Sequence, residues 1–264
     1  FQEDSQIIRT VTLLMRMDPL TGAWRSASLS DPVYVRTEYP VEGLEDSRLY
    51  VGPSGPMVSA TVRNASPFTG NSMIASAAIE LGANALSDLK VFTGLTGEEH
   101  EKNWMPIADP KGGPSLGWMY AVNYKGYTTT IEQEASGAWQ VVRKAPAPRI
   151  AKHFRGGSQL IPFLMDGEEG WLAVIHECCY ARDLRAYEHR FVWFDASMQL
   201  KRMSLPFALL EYRTVEFVSG LASVGDKLYL TFGFKDAEAY LTVLDSSEVR
   251  TLLGPVPGVT AGVA

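Results

Sequence analysis

Gly170-Trp-Leu-Ala-Val-Ile-His-Glu177 and His189-Arg-Phe-Val-Trp-Phe-Asp195 are two apolar runs of strand length, separated by a gap dense in ionisable residues. Gly156-Gly-Ser-Gln-Leu-Ile-Pro-Phe163 leads into them. Aromatic and β-branched runs of this length, bounded by turn residues, read as the two arms of a hairpin. The first run ends in His176-Glu177, and a strand that delivers a polar pair at its end is one way to mount a site on a rigid scaffold. An ordinary hairpin with solvated His and Glu would look the same. Recurrence separates the two readings.

Three further pairs overlay on this one. Met57–Val62 pairs with Met73–Leu81, Trp118–Val122 with Tyr127–Glu132, and Leu228–Phe232 with Ala239–Leu244. The first strands of successive pairs begin at Met57, Trp118, Trp171 and Leu228, at intervals of 61, 53 and 57 residues. Strand pairs repeating with a period in the fifties point to a β-propeller, because one blade cannot bury both of its faces alone. Residues 6–40 hold another pair, Gln6–Met15 and Val33–Tyr39, with turn chemistry at Asp18-Pro-Leu-Thr-Gly22 and Pro40. The expectation is an all-β, five-bladed β-propeller, with Glu248–Leu253 completing the N-terminal blade as a strand that closes the ring. Ile74–Leu81 has the length of a short helix but lacks caps, and its neighbours make it a strand. A sandwich is the alternative for a chain of strand pairs, and it would call for turn signals every 8–12 residues and typically fewer residues overall. Residues 1–264 read as a single propeller domain with a loose tail from 254 to 264, since repeats continue on both sides of Lys144-Ala-Pro-Ala-Pro-Arg149. The start at Phe1, without Met, also fits a domain excised from a larger chain.

Composition narrows the function classes. The chain has 264 residues, 46% hydrophobic and 20% charged, with a formal net charge of −6. No Lys/Arg-rich run is present, so nucleic acid and anionic membrane are not expected partners. No apolar stretch reaches the roughly 18 residues of a bilayer span, and Phe1–Asp4 has neither the basic nor the apolar region of a signal peptide. Cys178 and Cys179 are the only cysteines and are adjacent, which fits a reducing, cytoplasmic setting without a disulfide framework. Zinc-site spacings and glycine-rich nucleotide fingerprints are missing, so no metal and no cofactor are expected. His176 and Cys178 would share a strand face, yet buried inert cysteines are common enough that nucleophilic catalysis is not favoured.

The ionisable residues fall at equivalent places in successive units. Glu45-Asp46-Ser47-Arg48 precedes the first pair, Glu101-Lys102-Asn103-Trp104 the second, Arg155-Gly-Gly-Ser-Gln159 the third and Glu216-Phe-Val-Ser-Gly220 the fourth. Arg63-Asn64, Asn123, His176-Glu177 and Lys235-Asp236 end the strands that follow. In a propeller such positions converge on one funnel. Carboxylates beside guanidinium and imidazole groups, with Trp104 as a stacking face, suit recognition of a sugar or phosphate.

Gly170-Trp-Leu-x-x-x-His176, the Tyr- and Arg-bearing gap, the strand ending at Asp195, Pro206-Phe207, and Glu216-Phe-Val-x-Gly220 followed by Lys235-Asp236 together resemble the five-bladed mannoside phosphorylases. That glycoside-hydrolase-type family also includes β-1,2-mannosyltransferases. Glu45-Asp46-Ser47-Arg48 is similar to its Glu-Asp-Pro-Arg, with Ser for Pro. Lys102-Asn103-Trp104, Gly156-Gly-Ser-Gln159 and His176-Glu177 resemble bacterial propeller domains associated with glycosyltransferases. The resemblance spans Leu44–Leu244. It implies that Asp46 and Arg48 bind a glycosyl unit, that His176 and Arg155 contact a phosphate or acceptor, and that Asp236 holds a sugar hydroxyl.

Two departures matter. The family's proton-donating Asp is replaced at Arg63-Asn64, and Asn64 cannot deliver a proton. The family's Gly after the His is Glu177, whose charge would repel phosphate. The expected activity is therefore glycosyl transfer, mannosyl-type, from a nucleotide sugar or sugar phosphate to a glycan or sugar acceptor. Glu177 or Asp46 would be the catalytic base, with Arg48, Arg155 and Lys102 as cations for the departing phosphate and Asn64, Asn103, Trp104, Gln159, His176, Glu216 and Asp236 as further substrate contacts. The rivals are a phosphorylase or hydrolase on the same scaffold, and a non-catalytic glycan-binding domain of a larger transferase.

Overall fold

Short turns join most strands to their successors, so sheets assemble in sequence order. A computed structural model of the protein describes residues 8–30, 41–64, 70–181, 184–211 and 214–257. The chain divides into two compact units, residues 1–102 and 103–264.

The first unit opens with β1 (Ile8–Arg9), β2 (Leu13–Met17), β3 (Trp24–Ser28) and β4 (Val41–Glu42), then continues with β5 (Glu45–Gly52), β6 (Gly55–Val62), β7 (Met73–Glu80) and β8 (Ala85–Phe92). β2 and β3 form a two-stranded sheet, β1 pairs with β4 in parallel, and β5-β6-β7-β8 is a four-stranded antiparallel sheet. The expected strand at Val33–Tyr39 lies outside the described residues. Met73–Glu80 is a strand rather than a helix, and all of it except Glu80 is buried. Ser59, Ala60, Ser76 and Ala77 are also buried, and such small side chains let covering layers approach both faces of the sheet. Leu44, Val58, Val62, Met73, Ile79 and Leu86 belong to the apolar cluster of this unit.

In the second unit, β9 (Met105–Ile107), β10 (Gly117–Tyr124), β11 (Tyr127–Gln133) and β12 (Trp139–Pro146) form one antiparallel sheet. The next contains β13 (Arg155–Gly156), β14 (Ile161–Pro162), β15 (Gly170–Ala181), β16 (Leu184–Asp195) and β17 (Leu200–Met203). β18 (Glu216–Val224), β19 (Lys227–Phe234) and β20 (Glu238–Asp245) make a third, followed by helix α1 (Ser246–Leu252) and β21 (Gly254–Pro255). The described residues are thus all-β, with four successive propeller-type sheets, one in the first unit and three in the second, and the fifth blade expected from residues 6–40 falls in part outside them.

The first strands of these three sheets lie close together. Leu160 bridges Ile107 in parallel, donating to the Pro106 carbonyl at 2.8 Å and accepting from the Ala108 N–H at 2.9 Å. Gln159 Oε1 accepts the Leu221 N–H at 3.1 Å. A Cβ on Gly156 would sit 2.0 Å from the Asn103 carbonyl oxygen, and one on Gly157 2.4 Å from that of Val174. Met105, Ile107, Ala173 and Ile175 share one apolar cluster, while Leu172, Val174, Val218 and Leu230 share another. The alternation of a β-strand accounts for the split: odd and even residues of β15 pack into different layers.

Three expectations are corrected here. Glu248–Leu253 forms no strand closing the N-terminal blade: Ser246–Leu252 is helical, after an Asp245-Ser-Ser start, and Val249 and Leu253, four apart, bury together. The segment from 254 is not loose at its start, because Gly254–Pro255 pairs with β17. His176 and Glu177 do not end a strand. β15 and β16 each run for 12 residues, and their ladder continues through the polar gap to Ala181 and Leu184.

Candidate functional site

The β15–β16 register sets the side chains of the second unit. His176 is opposite His189 and Arg155, while Cys178 is opposite Tyr187. Alternation therefore puts Arg155, His176, Cys178, Tyr187 and His189 on one face of the sheet and Glu177, Cys179, Glu188 and Arg190 on the other. His176 and Glu177 point to opposite faces, so the strand does not aim them at one bond.

His176 is buried at 2% exposure, with the Tyr187 ring centroid at 4.7 Å and that of Phe217 at 5.3 Å, edge to face. Arg155 is exposed beside this row. The exposed Arg185 lays its guanidinium 4.8 Å from the centre of the Tyr187 ring. The arrangement offers a buried imidazole fixed by aromatic rings and two guanidinium groups at the surface. Such a face suits an anionic or hydroxyl-rich ligand.

On the opposite face, Glu177 Oε2 lies 2.9 Å from Arg190 Nε, and Arg190 Nη1 donates to the Ser204 carbonyl at 3.1 Å. Cys179 shares this face, where burial and the Glu188 and Glu177 carboxylates push its thiol pKa up. Both cysteines are free thiols.

Glu216 is fully buried, and its carboxylate accepts the N–H groups of Leu209, Leu210 and Glu211 at 2.6, 2.8 and 2.8 Å. Those bonds hold a loop and occupy the oxygens expected to contact substrate. His189 is fully buried, and its ring nitrogens make no well-formed hydrogen bond among the described residues. Burial pushes its pKa down to about 4, against the pull of the Glu216 charge and nearby carbonyls.

The remaining expected contacts of this unit are dispersed. Trp104 is 1% exposed, and its ring meets Trp118 and Tyr120, so it offers no open stacking face. Asn103 is half-buried with φ 61°, its carbonyl against Gly156. Gln159 ties two blades together. Asp236 is exposed in the turn after β19, at φ 52°, beside a Lys235–Glu211 ion pair of 2.8 Å.

The first unit carries its own set. Asp46 is exposed on a bulge of β5 at φ 52°, and its carbonyl accepts a 2.8 Å hydrogen bond from Arg48 Nη1. Arg48 is 1% exposed, and burial lowers its pKa to about 10 despite the opposing charge of Asp46. Asn64 is fully buried, with Oδ1 accepting the Gly43 N–H at 3.4 Å and Nδ2 without a partner among the described residues. Lys102 is exposed. Among the described residues no group of three or more His, Cys, Asp or Glu is placed to hold a metal, and no helix is long and apolar enough to cross a membrane.

Tyr187, His189, Arg190 and Phe217 were not singled out as site residues from sequence. Extending the hairpin register across the gap would have found three of them, because the pairing that sets Trp171 against Phe194 also sets His176 against His189. Phe217 comes from another sheet and has no such signal.

No protein-family model and no curated protein sequence matches the chain. Solved structures do. A candidate glycoside hydrolase from Bacteroides ovatus ATCC 8483 is 15% identical with a TM-score of 0.52, the match covering 80% of this chain and 70% of that one. A glycosyl hydrolase from Bacteroides ovatus is 14% identical at TM-score 0.51, covering 78% and 66%. The β-1,2-mannobiose phosphorylase of Listeria innocua, in complex with β-1,2-mannobiose, is 14% identical at TM-score 0.51, covering 83% of this chain and 62% of that one. At such identities the likeness is one of fold.

Proposed function

We propose that the protein is a carbohydrate-active propeller of the glycoside hydrolase or phosphorylase type. The observation that carries this reading is the shared fold with two glycoside hydrolases and a mannobiose phosphorylase. It displaces glycosyl transfer from the leading place, because none of these three neighbours is named a transferase. Cleavage needs an acid at the glycosidic oxygen and a base or nucleophile opposite. In the first unit, Asp46, an exposed carboxylate beside buried Arg48, is the candidate acid or base. In the second unit, Glu177 is a separate candidate, and it would have to leave its Arg190 ion pair to act.

A second reading, glycan binding without turnover, is favoured by one feature. Asn64, which the resemblance sets at the place of the family's acid, is buried and cannot donate a proton, and Glu177 is already engaged. The test is to incubate the protein with β-1,2-mannobiose and longer manno-oligosaccharides, with and without inorganic phosphate, and to measure mannose and mannose 1-phosphate. Release that falls at least 100-fold in Asp46→Asn supports the enzyme. Saturable oligosaccharide binding without product supports the binding module. Nucleoside diphosphate release from a nucleotide sugar would restore the transferase.

A further inference from the structure

At the Gly170 end of β15, away from His176, lies a groove of about 390 Å³. That volume is within the roughly 300–1,000 Å³ of small-molecule sites. Trp171 and His176 are five positions apart on one strand, so at about 3.4 Å per residue the groove lies about 17 Å from the Arg155–His176 row.

Its walls are apolar and pinned. Pro110, Pro162, Leu164 and the half-buried Trp171 line it, with Glu169 as its one charged residue. The Trp171 indole N–H donates to the Ala108 carbonyl at 3.1 Å, which fixes the ring plane. Asp109 accepts the Lys111 and Gly113 N–H groups at 3.0 and 3.2 Å, holding the turn that carries Pro110. Asp195 accepts the Ser197 and Gln199 N–H groups, both at 2.9 Å, holding the turn that carries Ala196 on the far wall. Nearby Asp166 is taken by Arg202, at 2.5 Å, whereas Glu169 makes no ion pair or side-chain hydrogen bond among the described residues. A groove held open by side-chain-to-backbone bonds costs little ordering when it fills.

An indole and two proline rings offer flat apolar surfaces, and a lone carboxylate offers two strong hydrogen-bond acceptors. A pyranose presents the matching pair, with C–H groups on its face and hydroxyl donors around its rim. We propose that this groove is a second carbohydrate subsite, which holds a neutral pyranose ring of a longer glycan. The inference rests on the carbohydrate reading above and adds a place for the chain remote from the reacting end.

The experiment is affinity electrophoresis in soluble mannan, xylan and laminarin, beside the mannobiose assay. Wild type is compared with Glu169→Gln and with Ala196→Trp, which fills the groove from an exposed turn. Retardation of wild type by one polysaccharide, weakened at least fivefold in both variants with unchanged melting temperature and unchanged disaccharide turnover or binding, is the expected result. Equal retardation of all three proteins overturns the subsite alone. So does disaccharide turnover or binding with no polysaccharide retardation. Displacement of the polysaccharide by tetramethylammonium but not by free hexoses would make the groove a cation site and overturn the sugar. Failure of wild type to bind or cleave any saccharide overturns the carbohydrate reading, and the subsite falls with it.

Discussion

His189 is the side chain most out of balance with its surroundings. A neutral imidazole tolerates an apolar site, but a protonated one loses its hydration there, and the Glu216 charge with the Phe207 and Glu216 backbone offsets only part of that loss. Its folded pKa of about 4 lies below the ordinary 6.5. The unfolded chain therefore takes up this proton first as pH falls. The contribution is fully present above pH 6.5 and is lost progressively down to pH 4, amounting to roughly 3 kcal/mol. Urea midpoints measured from pH 7.5 to pH 4 should drop more steeply for wild type than for His189→Phe, whose ring fits the same apolar site without titrating. Parallel curves would remove His189 as the cause. None of this was legible in the sequence, where His189 opens an apolar run and reads as a polar boundary. The same limit applies to Glu216 and Trp104, whose residue types suit a sugar site while their contacts are those of a loop anchor and an aromatic core.

Strand pairs were the most legible elements, because apolar runs bounded by turn residues leave little choice of partner. All four hairpins occur as expected from Met57, Trp118, Trp171 and Leu228. The gap between Glu177 and Glu188 misled because a strand whose side chains are not all buried need not be continuously hydrophobic, and only the backbone ladder reveals it. Gly156-Gly157 is an element-scale feature of a different kind. Its glycines are needed for closeness between strands, since a Cβ on Gly156 would meet the Asn103 carbonyl at 2.0 Å, and backbone cannot step aside as a side chain can. Gly156→Ala should therefore destabilise by about 2 kcal/mol or more, through strain where the sheets meet. Gly233→Ala is the control, because its Cβ would approach nothing nearer than the Glu238 carbonyl at 3.9 Å. That variant should stay within about 1 kcal/mol of wild type. Comparable losses for the two would show that close approach is not what Gly156 supplies.

At the scale of the molecule, the repeat spacing made the blade series legible, since each blade is one hairpin plus its flanking strands. How the chain ends was not, because Val249 and Leu253 look alike as the inner face of a strand or of a short helix. The described residues also leave the apolar clusters partitioned: Leu44, Val62 and Leu86 lie with others of the first unit, whereas Leu172, Val218 and Leu230 lie with others of the second. Stability in such a chain need not be uniform, because exchange-competent openings follow contiguous packed units. Leu86→Ala and Leu172→Ala each remove a side chain that is at most 2% exposed, and each should cost about 2–5 kcal/mol locally. Hydrogen exchange read by mass spectrometry should then cross over. Leu86→Ala should accelerate exchange across β5–β8 while the peptides of β15 and β19 keep their protection, and Leu172→Ala should do the reverse. If either substitution instead accelerates both regions equally, the chain opens as one cooperative body, and the partition of its cores has no energetic counterpart.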